Sequence, residues 1–245
     1  MAEAQRLRIA TFNIRHAAPE DSYRGRPDQL AESCRALDAD ILALQEVDVG
    51  VPRSRGADLA KVAAQACGMN YYFAKARKHA YRGQYGNALL ARGTISDVEV
   101  VKLHGDRRHV ITVGSLVLKP FREARNAIIA RVTVRNHALS VATAHFATEP
   151  TVRQSQLTRV VERLLDRPEP RLLLGDFNIP WEQAAEWLRP YGLQLAEELL
   201  PQPDPALQTG IDHVAVDALL VERVETRRLP ISDHEAKIVE VVVPG

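Results

Sequence analysis

Arg171-Leu172-Leu173-Leu174-Gly175-Asp176-Phe177-Asn178 sets an apolar run directly before a glycine, an acid and an amide. A run this short and this apolar fits a strand buried on both faces. Asp176 and Asn178 are two apart, so an extended chain points both to one side of the sheet. A carboxylate and an amide placed in this way can hold a water and a phosphoryl oxygen. The competing reading is an Asx-type turn leading into a helix after Pro180.

Outward from this segment, runs rich in Val, Ile, Leu and Thr recur at 7–14, 41–46, 70–74, 87–91, 98–103 and 110–118. They continue at 127–134, 138–144, 171–174, 213–221 and 236–243. Their composition and length, about 5 to 8 residues, favour strands. Three or four helices interleave. One starts at Pro27 and puts Leu30, Cys34 and Leu37 on one face. A second carries Leu59, Val62, Ala63 and Ala66 and closes at Gly68 as its C′ residue. A third follows Thr148-Glu149-Pro150, with Leu157, Val160, Val161, Leu164 and Leu165 as its stripe. A shorter one spans 181–188. Many strands with few helices imply an α+β fold in which two sheets pack face to face, flanked by helices.

The 245 residues are 46% hydrophobic, enough for a substantial core. With no repeat and no Gly/Ser linker, one domain over 1–245 is expected, its core at about 6–243. Charge is nearly balanced, 32 Lys and Arg against 31 Asp and Glu, so net charge does not argue for a polyanion partner. Basic residues concentrate between 105 and 135, where Arg107, Arg108, Lys119, Arg122, Arg125, Arg131 and Arg135 face only Asp106 and Glu123. That stretch is either a phosphate-facing patch or a solvated strand face. Cys34 and Cys67 read as small core residues of separate helices. The segment 1–8 is charged, and no run of about 18 apolar residues occurs. A cytoplasmic monomer with no membrane span and no obligate protein partner is the expectation.

Polar residues of interest cluster at strand ends. Asn13 ends the first strand and Glu46 the second, in Ile41-Leu42-Ala43-Leu44-Gln45-Glu46-Val47. An acid capping an apolar strand is costly to desolvate unless a cation pairs with it. A hard metal ion held by oxygen ligands would serve, and Mg²⁺ suits that set. Three histidines stand in similar settings: His145 after 138–144, His213 in Asp212-His213, and His234 in Ser232-Asp233-His234. Zinc is the competing metal, but no His-x-x-x-His or Cys-x-x-Cys spacing supports it.

In this order the motifs resemble the endonuclease/exonuclease/phosphatase superfamily, which includes deoxyribonuclease I-like and exonuclease III-like enzymes, sphingomyelinases and inositol-polyphosphate 5-phosphatases. The matching pieces are Thr11-Phe12-Asn13, Leu44-Gln45-Glu46-Val47, Gly86-Asn87-Ala88-Leu89-Leu90 and Glu123-Ala124-Arg125. They continue through Thr143-Ala144-His145-Phe146, Gly175-Asp176-Phe177-Asn178, Ile211-Asp212-His213-Val214 and Ser232-Asp233-His234-Glu235, covering almost the whole chain.

The resemblance implies a four-layer α/β sandwich of two mixed sheets between helices, and Mg²⁺ as cofactor with Mn²⁺ able to substitute. It implies Glu46 as principal metal ligand, Asn13 beside it and Asp233 as a further metal-side carboxylate. Asp176 would orient or deprotonate the attacking water. Asn178 would hold a phosphoryl oxygen, and His234, steered by Asp212, would bind the scissile phosphate. His145 would assist the leaving oxygen, and Arg125 and Asn87 would contact substrate phosphate. Two departures stand out: His213 where relatives carry an aromatic, and Phe146 where leucine is usual.

The function implied is Mg²⁺-dependent hydrolysis of a phosphodiester, first as an endonuclease or exonuclease on DNA or RNA. The alternative is a phosphodiesterase or phosphatase acting on a small-molecule or lipid phosphate; a remote third is an inactive scaffold. Arginines in the segments 48–56, 79–84 and 104–109 favour a substrate with several phosphates: Arg53, Arg55, Arg82, Arg107 and Arg108.

Overall fold

The computed structural model describes residues 5–79, 83–104, 109–113, 116–121, 124–202 and 204–243. From the N-terminus, β1 (Gln5–Asn13) leads to α1 (Pro27–Leu37), β2 (Ile41–Val49) and α2 (Leu59–Cys67). β3 (Asn70–Lys78), β4 (Gln84–Ala91) and β5 (Thr94–Leu103) follow. A hairpin of β6 (His109–Val113) and β7 (Leu116–Phe121) precedes β8 (Arg125–Val134) and β9 (His137–His145). Then come α3 (Pro150–Leu165), β10 (Arg171–Asp176), α4 (Trp181–Leu188) and a two-residue strand, β11 (Gln194–Leu195). β12 (Asp212–Asp217), β13 (Leu220–Arg228) and β14 (Glu235–Val243) complete the order.

Two mixed six-stranded sheets result. One has the order β13-β14-β1-β2-β4-β3, the other β11-β12-β10-β9-β8-β5. Their facing sides share one core, in which Leu7, Ile9, Ile41 and Leu89 of the first sheet meet Ile128, Val141, Leu172 and Val214 of the second. α1 and α2 cover the outer face of the first sheet through Leu30, Leu37, Leu59 and Ala63. α3 and α4 cover the second through Leu157, Val161, Ala184 and Leu188. The fold is the four-layer sandwich of the deoxyribonuclease I type.

The helix boundaries have local causes. Pro27 occupies the first turn of α1, where its missing N–H costs nothing. Asp58 caps α2 by accepting the Lys61 amide at 3.0 Å, and Gly68 closes it at φ 64°. Glu149 caps α3 by accepting the amides of Thr151 and Val152. Cys34 and Cys67 are free thiols packed in the core that α1 and α2 share with the first sheet.

Three sequence expectations change. The run 110–118 is two strands of a hairpin rather than one. The run 213–221 likewise splits into β12 and β13, because Ala218 turns the chain at φ 57°. β11, too short to leave a periodic signal, pairs with β12. The residues 105–108, 122, 123 and Arg82 of the anticipated basic patches lie outside the described residues, as does the side chain of Lys119. Among the described residues no helix is long and apolar enough to cross a membrane.

One buried ion pair is isolated enough to test. Lys237 on β14 donates to Glu197, and both side chains are almost wholly buried. Removing one partner of such a pair strands the other charge, at about 3–5 kcal/mol. Lys237→Met alone is therefore expected to lower unfolding free energy by about that amount, and Lys237→Met with Glu197→Leu by much less. Urea denaturation of the three proteins measures it, and equal losses would show that packing rather than charge governs the position.

Candidate active site

Strand register assembles the centre of the site. β10 runs parallel to β9 and antiparallel to β12, which pairs Asp176 with His145 on one side and Asp212 on the other. Three candidate site residues thereby form one row at the end of the second sheet. Gly175 permits this close approach: a Cβ there would lie 2.0 Å from the Ala144 carbonyl oxygen, at φ +147°. The glycine before the acid is therefore a steric requirement of the row.

The first sheet supplies the opposite wall. Parallel pairing of β1 with β2 sets Asn13 against Gln45, one residue before Glu46. A bulge follows in β2, where its register against β4 shifts between Leu44 and Val47 and Glu46 adopts φ 58°. Left-handed backbone at a non-glycine costs about 1–2 kcal/mol. Here it turns the Glu46 carboxylate towards Asn13, whose Nδ2 lies 3.4 Å from Oε1. The Arg15 amide donates to Asn13 Oδ1 at 3.0 Å, fixing the side chain so that Nδ2 also donates to Asp176 Oδ2 at 2.9 Å.

Asp176 Oδ2 is the point of convergence. His145 Nε2 lies 3.2 Å from it and His234 Nε2 3.9 Å. His234 Nδ1 is 2.6 Å from Asp212 Oδ2, and the ligand atoms of Asp176, Asp212 and His234 all lie within 4.8 Å of one another. Ser232 holds the His234 turn: its hydroxyl donates to the Asn13 carbonyl at 2.6 Å and accepts the His234 amide at 3.2 Å.

Protonation differs sharply among these groups. Burial, reinforced by the charge of Asp212, pushes Asp176 up to about 7. Burial pulls His145 well below the usual imidazole range, with Arg125 and His234 adding to it, so a neutral imidazole stands 3.2 Å from Asp176. Burial opposes charge on His234 too. There the hydrogen bond and charge of Asp212, with Asp176 and Asp233 behind them, prevail and raise it to about 9. At neutral pH the site holds an imidazolium, a neutral imidazole and a carboxyl poised to lose its proton. Perturbation of this kind is characteristic of reactive sites.

Other expected residues are placed differently. Asn178 does not continue an extended strand; it sits at φ 53°, its amide donating to Asp176 Oδ1 and its Nδ2 to the Phe146 carbonyl, each at 2.9 Å. The Asx turn and the functional cluster are thus the same structure. Asn87 Nδ2 donates to the backbone and side-chain oxygens of Asn126, both at 3.0 Å, clamping β4 to β8. Arg125 is buried, and its charge acts on His145. Asp233 is half exposed and paired with Arg15 at 3.6 Å, outside the tight group. His213 is a wall residue: fully buried, lowered by burial to about 3, with Nε2 2.7 Å from the Ile179 carbonyl and its ring edge-on to Phe177.

Sequence reasoning passed over Ser232 and Gln45. Gln45 Nε2 donates to Thr11 at 3.1 Å and to Thr143 of the second sheet at 3.3 Å, tying the two walls together directly under the site. Its position next to Glu46 on an apolar strand was the available signal.

A family model described as the Endonuclease/Exonuclease/phosphatase family matches residues 10–234. The uncharacterized protein YbhP of Escherichia coli K12 is 29% identical over 190 residues, covering 73% of this chain and 69% of YbhP. The mannosyl-6-phosphatase Bt3783 of Bacteroides thetaiotaomicron superposes with TM-score 0.69 at 18% identity, over 96% of this chain and 99% of that one. D. rerio TDP2 in complex with single-strand DNA product superposes with TM-score 0.64 at 14% identity, over 97% of this chain and 99% of that one.

Proposed function

The chain belongs to the endonuclease/exonuclease/phosphatase family, and from that premise we propose that it is a Mg²⁺-dependent phosphoesterase in which Asp176 activates the attacking water. The observation that carries this reading is the convergence of Asn13, His145 and His234 on Asp176 Oδ2.

The donor set fits a divalent cation. Asp176 and Asp212 are buried carboxylates that repel each other, a repulsion visible in the raised Asp176. His234 is the cation that meets both carboxylates, Glu46 adds a third acid at the opposite wall, and hard oxygen ligands suit Mg²⁺ or Mn²⁺. Glu46 and Asn13 would hold the ion, with Asp233 an outer charge. Asp212 and His234 satisfy each other at 2.6 Å, so that pair is a histidine with its orienting carboxylate. When bound, the ion supplies positive charge to a phosphoryl oxygen and lowers the pKa of nearby water.

The remaining work falls to the side chains. Asp176 takes a proton from water, and charged His234 stabilises the phosphoryl oxygens. His145, neutral in this state, faces the same space and can polarise the leaving oxygen by a hydrogen bond while keeping its proton. Asn178, its backbone N–H already taken by Asp176, fixes the carboxylate's direction.

For the substrate, a small phosphate ester is favoured, and the fold likeness to a mannosyl-6-phosphatase agrees. Among the described arginines of the anticipated polyanion rim, Arg53 is turned inward. Its guanidinium grips Asp48 at 2.7 and 2.9 Å and donates to Tyr23 at 3.0 Å. Nucleic acid is the second reading, supported by the fold likeness to TDP2 with DNA product. Hydrolysis of a panel containing plasmid, single-stranded DNA, RNA, sphingomyelin and sugar and inositol phosphates, with Mg²⁺ and with EDTA, tests both. No Mg²⁺-dependent release from any of them would reject the phosphoesterase reading.

Asp212→Asn probes the orienting pair. Folding raises His234 above its ordinary 6.5, so the pair stabilises the protein fully below about 6.5 and loses this as pH rises through about 9. In Asp212→Asn, the His234 midpoint in NMR titration of the metal-free protein is expected to fall by at least about 1 unit. The basic limb of kcat against pH should shift down with it, and an unmoved midpoint would reduce Asp212 to a structural role.

A further inference from the structure

Beside His234, a cavity of about 320 Å³ lies between the segment 209–212 and the facing residues of β13 and β14. Asp212 and His234 line it, so it opens onto the catalytic pair. Resting on the phosphoesterase reading above, we propose that this cavity binds the organic group of the substrate, that the group is uncharged and rich in hydroxyls, as in a sugar or polyol, and that a second phosphate is excluded.

The charges decide the class. The cations lining the cavity are His234 and Lys237. His234 is engaged by Asp212 and directed at Asp176. Lys237 is buried and its charge is met by Glu197. Glu235 adds an exposed carboxylate and Asp233 a second, paired with Arg15 at 3.6 Å. A second phosphate entering here would meet these carboxylates with no uncommitted cation among the described lining residues to offset them, and like charges brought together oppose binding.

Hydroxyl groups meet the opposite conditions. An ammonium has three donors, and Glu197 takes one from Lys237. Thr226 supplies a hydroxyl that can donate or accept, and the carboxylates accept hydrogen bonds from hydroxyls. Asp212 Oδ1 is buried without a hydrogen-bond partner among the described residues, a further acceptor at the edge. Ile211 and Gly210 give one apolar wall against which a sugar ring can lie. The volume stands at the lower end of ligand pockets, about 300–1,000 Å³. It therefore suits one ring-sized group.

Glucose 6-phosphate and glucose 1,6-bisphosphate differ by the one feature that matters. Calorimetric titration of each into the full-length protein with Mg²⁺, with phosphate release followed in parallel, is the test. The bisphosphate is expected to bind at least about tenfold more weakly. Glu235→Lys, at an exposed position, should narrow that gap to within about threefold, because it replaces repulsion by attraction. Thr226→Val should weaken glucose 6-phosphate several-fold through KM, with a smaller effect on kcat. Equal or tighter bisphosphate binding, a gap unmoved by Glu235→Lys, or no binding of glucose 6-phosphate overturns the proposal. The expected preference without any phosphate release would support the cavity assignment while rejecting the phosphoesterase reading.

Discussion

Asp176→Asn is expected to reduce kcat by at least about 10² to 10³ while leaving the protein folded and, without metal, more stable at pH 8. The two halves of this result have one cause. Asp176 is buried at the centre of the row, and its carboxyl is raised to about 7. An acid whose folded pKa lies above its ordinary 3.8 contributes stability below about 3.8 and loses it as pH climbs through about 7. The neutral amide escapes that loss and keeps nearly the same shape; its one oxygen can still accept the Asn13 hydrogen bond seen at 2.9 Å, while the bond from the Asn178 amide is given up. It cannot take a proton from water. His234→Ala is expected to lose a similar factor, and the double variant far less than the product, because both groups serve one transition state. Thermal melts at pH 5 and 8 and single-turnover rates measure it. Multiplicative losses would separate the two residues, and a lower melting temperature for Asp176→Asn at pH 8 would contradict the burial argument.

That an acid stands at the end of a buried strand was legible because strand period and composition are local properties. Arg171-Leu172-Leu173-Leu174 declared β10, and every residue of the central row belongs to a motif visible in the sequence. Invisible was the register. Nothing in Thr143-Ala144-His145 or Ile211-Asp212 states that both flank Asp176; hydrogen-bond pairing between distant strands decides it. The same limit explains the differences in placement. Asn178 followed the period-two rule on paper, but the strand stops at Asp176 and the chain turns left-handed two residues later. Asn87 matched a motif, yet in the structure its donors close a clamp on Asn126, a contact that exists only once the sheets stack. Asp233 sits next to His234 in sequence and faces Arg15 in space. The place of a side chain at a strand end is legible from one strand; its contacts with other strands and with the other sheet are not.

Glu46→Gln is expected to leave no more than about 1% of wild-type activity at limiting Mg²⁺ and to raise the metal concentration needed for half-maximal rate by at least about tenfold. Treatment with EDTA should abolish wild-type activity, and Mg²⁺ or Mn²⁺ should restore it. The geometry at β2 gives this position its weight. The strand could have run straight past residue 46, as it does at Leu42 and Leu44. Instead it bulges there and holds Glu46 at φ 58°, a conformation that costs a non-glycine residue about 1–2 kcal/mol. Strain of this sort persists at sites where a side chain must be aimed, and here it is aimed at Asn13 and through it at Asp176. A second substitution separates aim from charge. Glu46→Gly relieves the backbone and deletes the ligand, so it should raise the melting temperature of the metal-free protein while being as inactive as Glu46→Gln. Adding Mg²⁺ should then stabilise wild type and neither variant, since an ion that binds only the folded state shifts the unfolding midpoint in proportion to its affinity. Calorimetric melts with and without 10-fold excess metal over the wild-type half-saturating concentration, about 1.4 kcal/mol of linkage, read the difference directly. Full activity of Glu46→Gln at limiting Mg²⁺, or equal stabilisation of all three proteins by the ion, would move the metal away from Glu46 and towards the group of Asp176, Asp212 and His234.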